Sequence, residues 1–452
     1  MRRAIWLVLV IAACGDGGDR KVSDAAVAPI DAPSPTVTVI VKHTDGSPAA
    51  LVPVYFQAAD STVIASMETG PAGTASAPMP DGGSVTILDP DPTPAVGVAG
   101  HHLYTWTGVK PGDHLIYDTS GAITDFPIVV FKVPFDTAHA GVVGYDIESS
   151  CGGFIAEPTT TGTTFTQQIS LYGCNGIADV MVTGLDASSH AVSYFYVANQ
   201  TIVDQATIDY STQTYALATT RTFTFTNNDM PSAELDFDDT IVSVRGPLYT
   251  GYAAATLADP AIATVAIPVA PLGSSDVLHM VQRVAETKRE RVIWGPTVDL
   301  TVDYAATRIP DFTSPPAFDP ATHVLGWTAS TTATAPDAAI AEVYVTRASD
   351  TWLWDIAGPS ATQLQFPVIP TDAFDANIKA TDTTTVDSVA LVKVPNGYDA
   401  VRGRVFQFTP APTGATGTIS RNTYEPPLPP GFVMMADHAP PPFVISRALR
   451  VR

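Results

Sequence analysis

From Thr36 onward the chain alternates apolar and polar residues: Val37, Val39 and Val41 bracket Thr38 and Ile40, and Val52, Val54 and Phe56 repeat the theme. A period of two marks strands, because successive side chains point to opposite faces of a sheet. The same pattern predicts strands at 142–147, 165–171, 179–183, 192–197, 222–226, 240–244, 298–304, 342–347 and 389–394. Turn pairs such as Asp45-Gly46, Asp81-Gly82-Gly83 and Asn396-Gly397 lie between them. One stretch, 276–291, also places Val277, Met280, Val281 and Val284 near helical spacing. Flanking strands favour a hairpin centred on the charged run Lys288 to Arg291.

Dense short strands with 39 prolines and 32 glycines fit antiparallel sandwiches better than parallel sheets, which need crossover helices. The expected fold class is therefore all-β, as tandem immunoglobulin-like β-sandwich modules at 36–122, 123–210, 211–308 and 309–412. Similar module lengths suggest an array, although no strict sequence repeat is visible. The last segment, 413–452, contains Pro426, Pro427, Pro429, Pro430, Pro440, Pro441 and Pro442, which predict extended polyproline-like chain, with 443–451 as a candidate closing strand.

The chain opens differently. Arg2 and Arg3 precede an apolar run too short to span a bilayer, which reads as a signal peptide at 1–13. Ile11-Ala12-Ala13-Cys14 resembles the lipobox of bacterial lipoproteins, and that resemblance implies that Cys14 is acylated and becomes the mature N-terminus. Residues 14–35, rich in Gly, Asp, Ala and Pro, predict a disordered tether. Gly15 beside the lipidated cysteine points, by resemblance to enterobacterial sorting, to the outer membrane.

Two further resemblances concern fold alone. The strand Val37 to Val41, Asp45-Gly46 with Pro48, the strand Val52 to Phe56, Gly73-Thr74-Ala75 and Gly82-Gly83 resemble the carboxypeptidase regulatory-like or transthyretin-like sandwich, although Pro71 and Ala72 stand where that family carries an acidic residue. Leu325-Gly326-Trp327-Thr328 and Val343-Tyr344-Val345 resemble fibronectin type III strands, with Phe374 in place of the usual corner tyrosine.

A formal net charge of −22 makes nucleic acid a poor partner, since a phosphate backbone is bound by clustered Lys and Arg. Cys151 and Cys174 share one β-patterned stretch, and an oxidising compartment outside the cytoplasm favours a disulfide over metal ligation. Such a link stabilises by about 3 kcal/mol on the loop-entropy account.

The search for chemistry finds no phosphate loop, no His-Glu-x-x-His, no Cys-x-x-Cys and no Gly-x-Ser-x-Gly. His101, His102 and His114 with Asp113 are either metal ligands or a polar loop. Asp236, Asp238 and Asp239 offer oxygen to Ca²⁺, or line the solvent face of a strand. Trp352 and Trp354, two apart, share a face that either stacks on sugars or packs in a core. The leading expectation is a noncatalytic, lipid-anchored envelope protein without a cofactor, acting as a spacer or as an adhesive element toward proteins or polysaccharides. A glycan-binding lipoprotein and a divergent hydrolase or hydrolase accessory are the alternatives.

Overall fold

β-Branched and aromatic residues on one side of a pleated segment stay dry only if a second sheet covers them. The computed structural model describes residues 35–426 except 44–45, 91–99, 120–126, 157, 159–161, 172–175, 228–233, 244–245, 257–260, 268–275, 285, 296–298, 307, 332–333, 349, 360–361, 372–373 and 407–416. The fold is all-β. Among the described residues one short α-helix, α1 (Tyr398–Val401), and a 3-10 turn (Arg402–Arg404) are the helical elements.

The strands fall into four sets. The first is β1 (Thr36–His43), β2 (Pro53–Gln57), β3 (Val63–Glu68), β4 (Thr74–Pro78), β5 (Gly83–Pro90), β6 (His101–Val109) and β7 (His114–Thr119). The second is β8 (Ile128–Pro134), β9 (Gly144–Ser149), β10 (Gly152–Ala156), β11 (Thr164–Ser170), β12 (Ile177–Leu185), β13 (Ala191–Thr201) and β14 (Thr207–Asp209), followed by the short β15 (Ala216–Leu217). The third is β16 (Thr219–Thr226), β17 (Glu234–Ser243), β18 (Gly246–Thr256), β19 (Ala261–Ile267), β20 (Asp276–Val284), β21 (Thr287–Gly295) and β22 (Leu300–Asp303). The fourth is β23 (Ala317–Asp319), β24 (Val324–Gly326), β25 (Ala338–Arg347), β26 (Asp350–Pro359), β27 (Gln363–Gln365), β28 (Thr383–Lys393) and β29 (Gly417–Tyr424).

One topology recurs through all four. In the first three sets the first strand pairs antiparallel with the fourth and parallel with the seventh, giving small sheets ordered β4-β1-β7, β11-β8-β14 and β19-β16-β22. The other four strands run third, second, fifth, sixth: β3-β2-β5-β6, β10-β9-β12-β13 and β18-β17-β20-β21. In the fourth set β24 to β29 play strands one to six, with large sheet β26-β25-β28-β29, and β23 pairs with β24 where the other sets place a seventh strand. The first strands start at Thr36, Ile128 and Thr219, nearly equal intervals. The chain is thus an array of one repeated sandwich.

The repeat has a faint sequence echo. Thr207-Ile208-Asp209-Tyr210 recurs as Thr301-Val302-Asp303-Tyr304. Both tyrosines are buried, as is Tyr117 at the matching place in the first repeat. Each aspartate accepts a hydrogen bond from the backbone N–H two residues on, Ser211 at 2.8 Å and Ala305 at 2.9 Å. The turn before the seventh strand also returns to the first: Ile128 N–H donates to Asp204 and Thr222 N–H to Asp299.

Three of the repeats do not stand apart. Their large sheets join edge to edge in one twelve-stranded sheet, β18-β17-β20-β21-β29-β28-β25-β26-β6-β5-β2-β3. β21 of the third repeat pairs antiparallel with β29 of the fourth, and β26 of the fourth pairs parallel with β6 of the first. Sandwiches read separately along the sequence therefore share a backbone ladder. A boundary at 412 cuts β29 away from the sheet it completes; the candidate closing strand at 443–451 lies outside the described residues.

The small sheets of the first and fourth repeats cover opposite faces of this shared sheet. Val39, Phe56, Ile87, Trp106 and Leu115 form the core of the first repeat, and Ile340, Ala357 and Val392 continue it across the seam. Val343, Trp352, Trp354, Leu364 and Phe366 form the core of the fourth on the other face, joined by Tyr55, Leu88 and Leu103 of the first. The second repeat has its own core around Phe131, Ile147, Val182 and Phe195. Gly73 is required in the first: its φ is +68°, and a Cβ would meet the Val41 carbonyl oxygen at 2.3 Å. The segment 276–291 belongs to the hairpin β20–β21, but its turn falls between Val284 and Thr287, so the charged run Lys288 to Arg291 lies within β21 and not at the hairpin's centre.

Candidate functional site

Crossing from the fourth repeat to the first, the face opposite the fourth core changes from an uncovered to a covered side, and polar residues collect there. Pleat alternation on β26 sends Trp354 and Ile356 into the fourth core, while Asp355 takes the other face. On β6, Leu103 joins the fourth core while His102 and Tyr104 lie beside Asp355. Glu342 of β25 is the cross-strand partner of Asp355, and Asp355 that of Tyr104.

His102 Nε2 lies 2.8 Å from Asp355 Oδ2, and His102 Nδ1 lies 2.9 Å from the Tyr104 hydroxyl. A carboxylate only accepts, so Nε2 carries the proton and donates to Asp355; in the neutral ring Nδ1 accepts from Tyr104. The Tyr104 ring packs on Tyr117 at 4.3 Å between centroids. Tyr117 and Thr119 donate to the same oxygen of the buried Asp89, at 2.7 and 2.8 Å. Burial pushes both tyrosine hydroxyls well above their ordinary range, so they serve as donors and not as phenolates. Burial, reinforced by Asp355 and Asp387, holds the Glu342 carboxyl well above the usual range.

A second polar node sits where the third and fourth repeats meet. Arg289 of β21 forks onto Asp311 through Nε at 3.1 Å and Nη2 at 2.8 Å, and Arg308 reaches the same carboxylate at 3.2 Å. Asn422 of β29 shares its amide among the carbonyls of Ile309 and Pro310 and the Asp311 carboxylate, each at 3.0 Å. Such a bidentate pair fixes geometry as well as charge.

The structure disposes the sequence candidates as follows. Trp352 and Trp354 share a face, but it is the core face: they are 0% and 1% exposed, edge-on to Phe374 and Phe366, and the Trp354 indole N–H donates to Thr105 at 2.9 Å. Neither ring can stack on a sugar, and the glycan contact is corrected to a packing role. His101 and His102 open β6 whereas His114 opens β7 beyond the next turn, at the opposite end of the repeat, so the histidines do not converge. His101 lies on Phe374 at 4.0 Å, and burial lowers its pKa. Asp113 instead holds Arg402 at 3.1 Å. Among the described residues no group of three or more His, Cys, Asp or Glu is arranged to hold a metal ion. Asp236, Asp238 and Asp239 fall on β17, paired on both sides, and their side chains lie outside the described residues.

Cys151 packs against the core of the second repeat, at the turn between β9 and β10. Cys174 and Cys14 lie outside the described residues. In that repeat Asp136 binds both Ser193 Oγ and His139 Nδ1, the latter at 2.9 Å. Burial raises this carboxyl, but hydrogen bonds from Ser193 and His139 outweigh it and hold the pKa below the ordinary value. Ser193 donates to the aspartate and not to the imidazole, so the trio ties a loop to β13 and is not a relay for a nucleophile. Sequence reading missed Asp89, Glu342 and Asp355; only Glu342 fell within a predicted strand, 342–347.

No family model matches the chain, and no curated protein matches it. Among solved structures, the Bacillus anthracis TIE protein aligns at 9% identity and TM-score 0.15, over 60% of this chain and 49% of that one, so the chain spans about half of that protein's length. A tetra-tandem repeat from the extending region of a large adhesion protein aligns at 12% identity and TM-score 0.12, over 86% and 98%. At these scores neither likeness carries an argument.

Proposed function

We propose that the chain is a noncatalytic, lipid-anchored scaffold of the bacterial cell envelope, held at the outer membrane through Cys14 and lifted from the lipid by the tether at 14–35. What supports the scaffold reading is the strand continuity of the array: β26 pairs with β6 and β21 with β29, so three sandwiches act as one ladder instead of beads on a string. A body built this way resists bending between repeats, which suits a spacer that presents a surface to protein or polysaccharide. The lipobox resemblance at Ile11-Ala12-Ala13-Cys14 supports the anchor, and multiple acyl chains hold a protein stably where one does not. The second repeat, on the same reading, is closed by a Cys151–Cys174 disulfide. Fractionation tests the anchor: the natural chain is expected in the membrane pellet and Cys14→Ala in the soluble fraction. Equal partition of the two would overturn it.

A further inference from the structure

We propose that the segment 394–406, between β28 and β29 of the fourth repeat, is a latch that closes the core of the first repeat, so that the first repeat completes its fold only after the fourth has formed. The idea rests on the packing at that junction and is independent of how the chain is anchored.

Val394, Tyr398, Val405 and Phe406 are buried in the core of the first repeat, far in sequence from the strands they cover. The Phe406 ring stands edge-on to Trp106 at 4.9 Å and to Tyr104 at 5.4 Å between centroids. The Tyr398 hydroxyl donates to the carbonyls of Thr107 on β6 and Ala357 on β26, at 3.3 and 3.2 Å, and so bridges the two repeats. Arg402 is 1% exposed; it donates to the Gly108 carbonyl, its Nε lies 3.1 Å from the Asp113 carboxylate, and its Nη2 donates to Asp399 at 2.6 Å. Lys110, in the turn after β6, pairs with the same Asp399. Gly403 comes so near β7 that a Cβ would meet the His114 carbonyl oxygen at 2.3 Å. Taking a partner from a buried charge leaves that charge uncompensated, so the latch and the end of the first repeat hold or open together.

The second repeat meets the same two needs from its own chain. The edge of its sixth strand, β13, is paired by β15, and Tyr215 packs on Phe195 of β13 at 5.1 Å; both follow directly on its seventh strand, β14. In the first repeat the edge of the sixth strand, β6, is taken by β26, and the aromatic cover is Phe406. The fourth repeat supplies both. A chain made from its N-terminus folds its leading units first as a rule, whereas this leading sandwich waits for a later one.

Pulse-labelled hydrogen exchange during refolding of the full chain tests this. Amides of β1 and β7 should gain protection with or after those of β25 and β28. In the folded Phe406→Ala chain, amides of β1 and β7 should exchange on the order of a hundredfold faster, while those of β12 in the second repeat keep their natural rates. If Phe406→Ala does not fold, the order of protection in the natural chain decides alone. Protection of β1 and β7 ahead of β25 and β28, or a folded Phe406→Ala chain in which only amides of 394–406 exchange faster, would overturn the proposal.

Discussion

The side-chain amide of Asn422 donates to the backbone carbonyl of Ile309 at 3.0 Å, across more than a hundred residues of chain. It places β29 over the segment that opens the fourth repeat, between β21 of the third repeat and β28 of its own. Asn422→Ala leaves the Ile309 and Pro310 carbonyls buried without this donor. The expected cost is about 2–4 kcal/mol, read as a lower urea midpoint. An unchanged midpoint would remove β29 as the link between the repeats.

Trp354→Ala empties the centre of the fourth core and strips Thr105 of its indole donor. A loss of about 3–5 kcal/mol is expected. Trp354→Phe should recover most of the packing but not the hydrogen bond. Thermal unfolding of both variants separates the two effects, and a wild-type melting curve for Trp354→Ala would contradict the core assignment.

Much of this was legible in the residues. Period two located strands such as β1, β9, β12, β13 and β25, whereas the charged run at 288–291, expected at the centre of a hairpin, lies inside β21. The spacing of Trp352 and Trp354 set them on one face; whether that face met a sugar or a core depended on how β24 and β27 pack over it. The seam was not legible, because an inner face that continues into a neighbouring sandwich has the same alternation as one that ends in solvent. β29 went unnoticed since Gly417, Ser420 and Asn422 dilute its apolar pattern, while 443–451 reads as a stronger strand.

Asp209 predicts an acid limb to the stability curve. A side-chain hydrogen bond from Ser211, then those from Lys132 and the Ser211 backbone, lower its pKa from 3.8 to about 2. The sign follows from a depressed carboxyl: the contribution is present above the unfolded value of 3.8 and is lost as pH falls toward 2. Asp209→Asn should flatten the fall in Tm over that window and leave the Tm slope above pH 5 untouched. A steeper acid limb in the variant would contradict the assignment.

Gly73→Ala tests the tight approach of the β3–β4 turn to β1. With φ at +68° and the Val41 carbonyl oxygen 2.3 Å from the added carbon, the backbone must move. A loss of about 2 kcal/mol or more is expected from denaturant unfolding, with the first repeat affected first. Tolerance of alanine at full stability would place the turn elsewhere.

The anchor is tested most directly by intact-mass analysis of the mature N-terminal peptide from native membranes. The account predicts a chain beginning at Cys14 and carrying acyl chains on that residue. A peptide that retains Met1, or that begins at an unmodified Cys14, would contradict it.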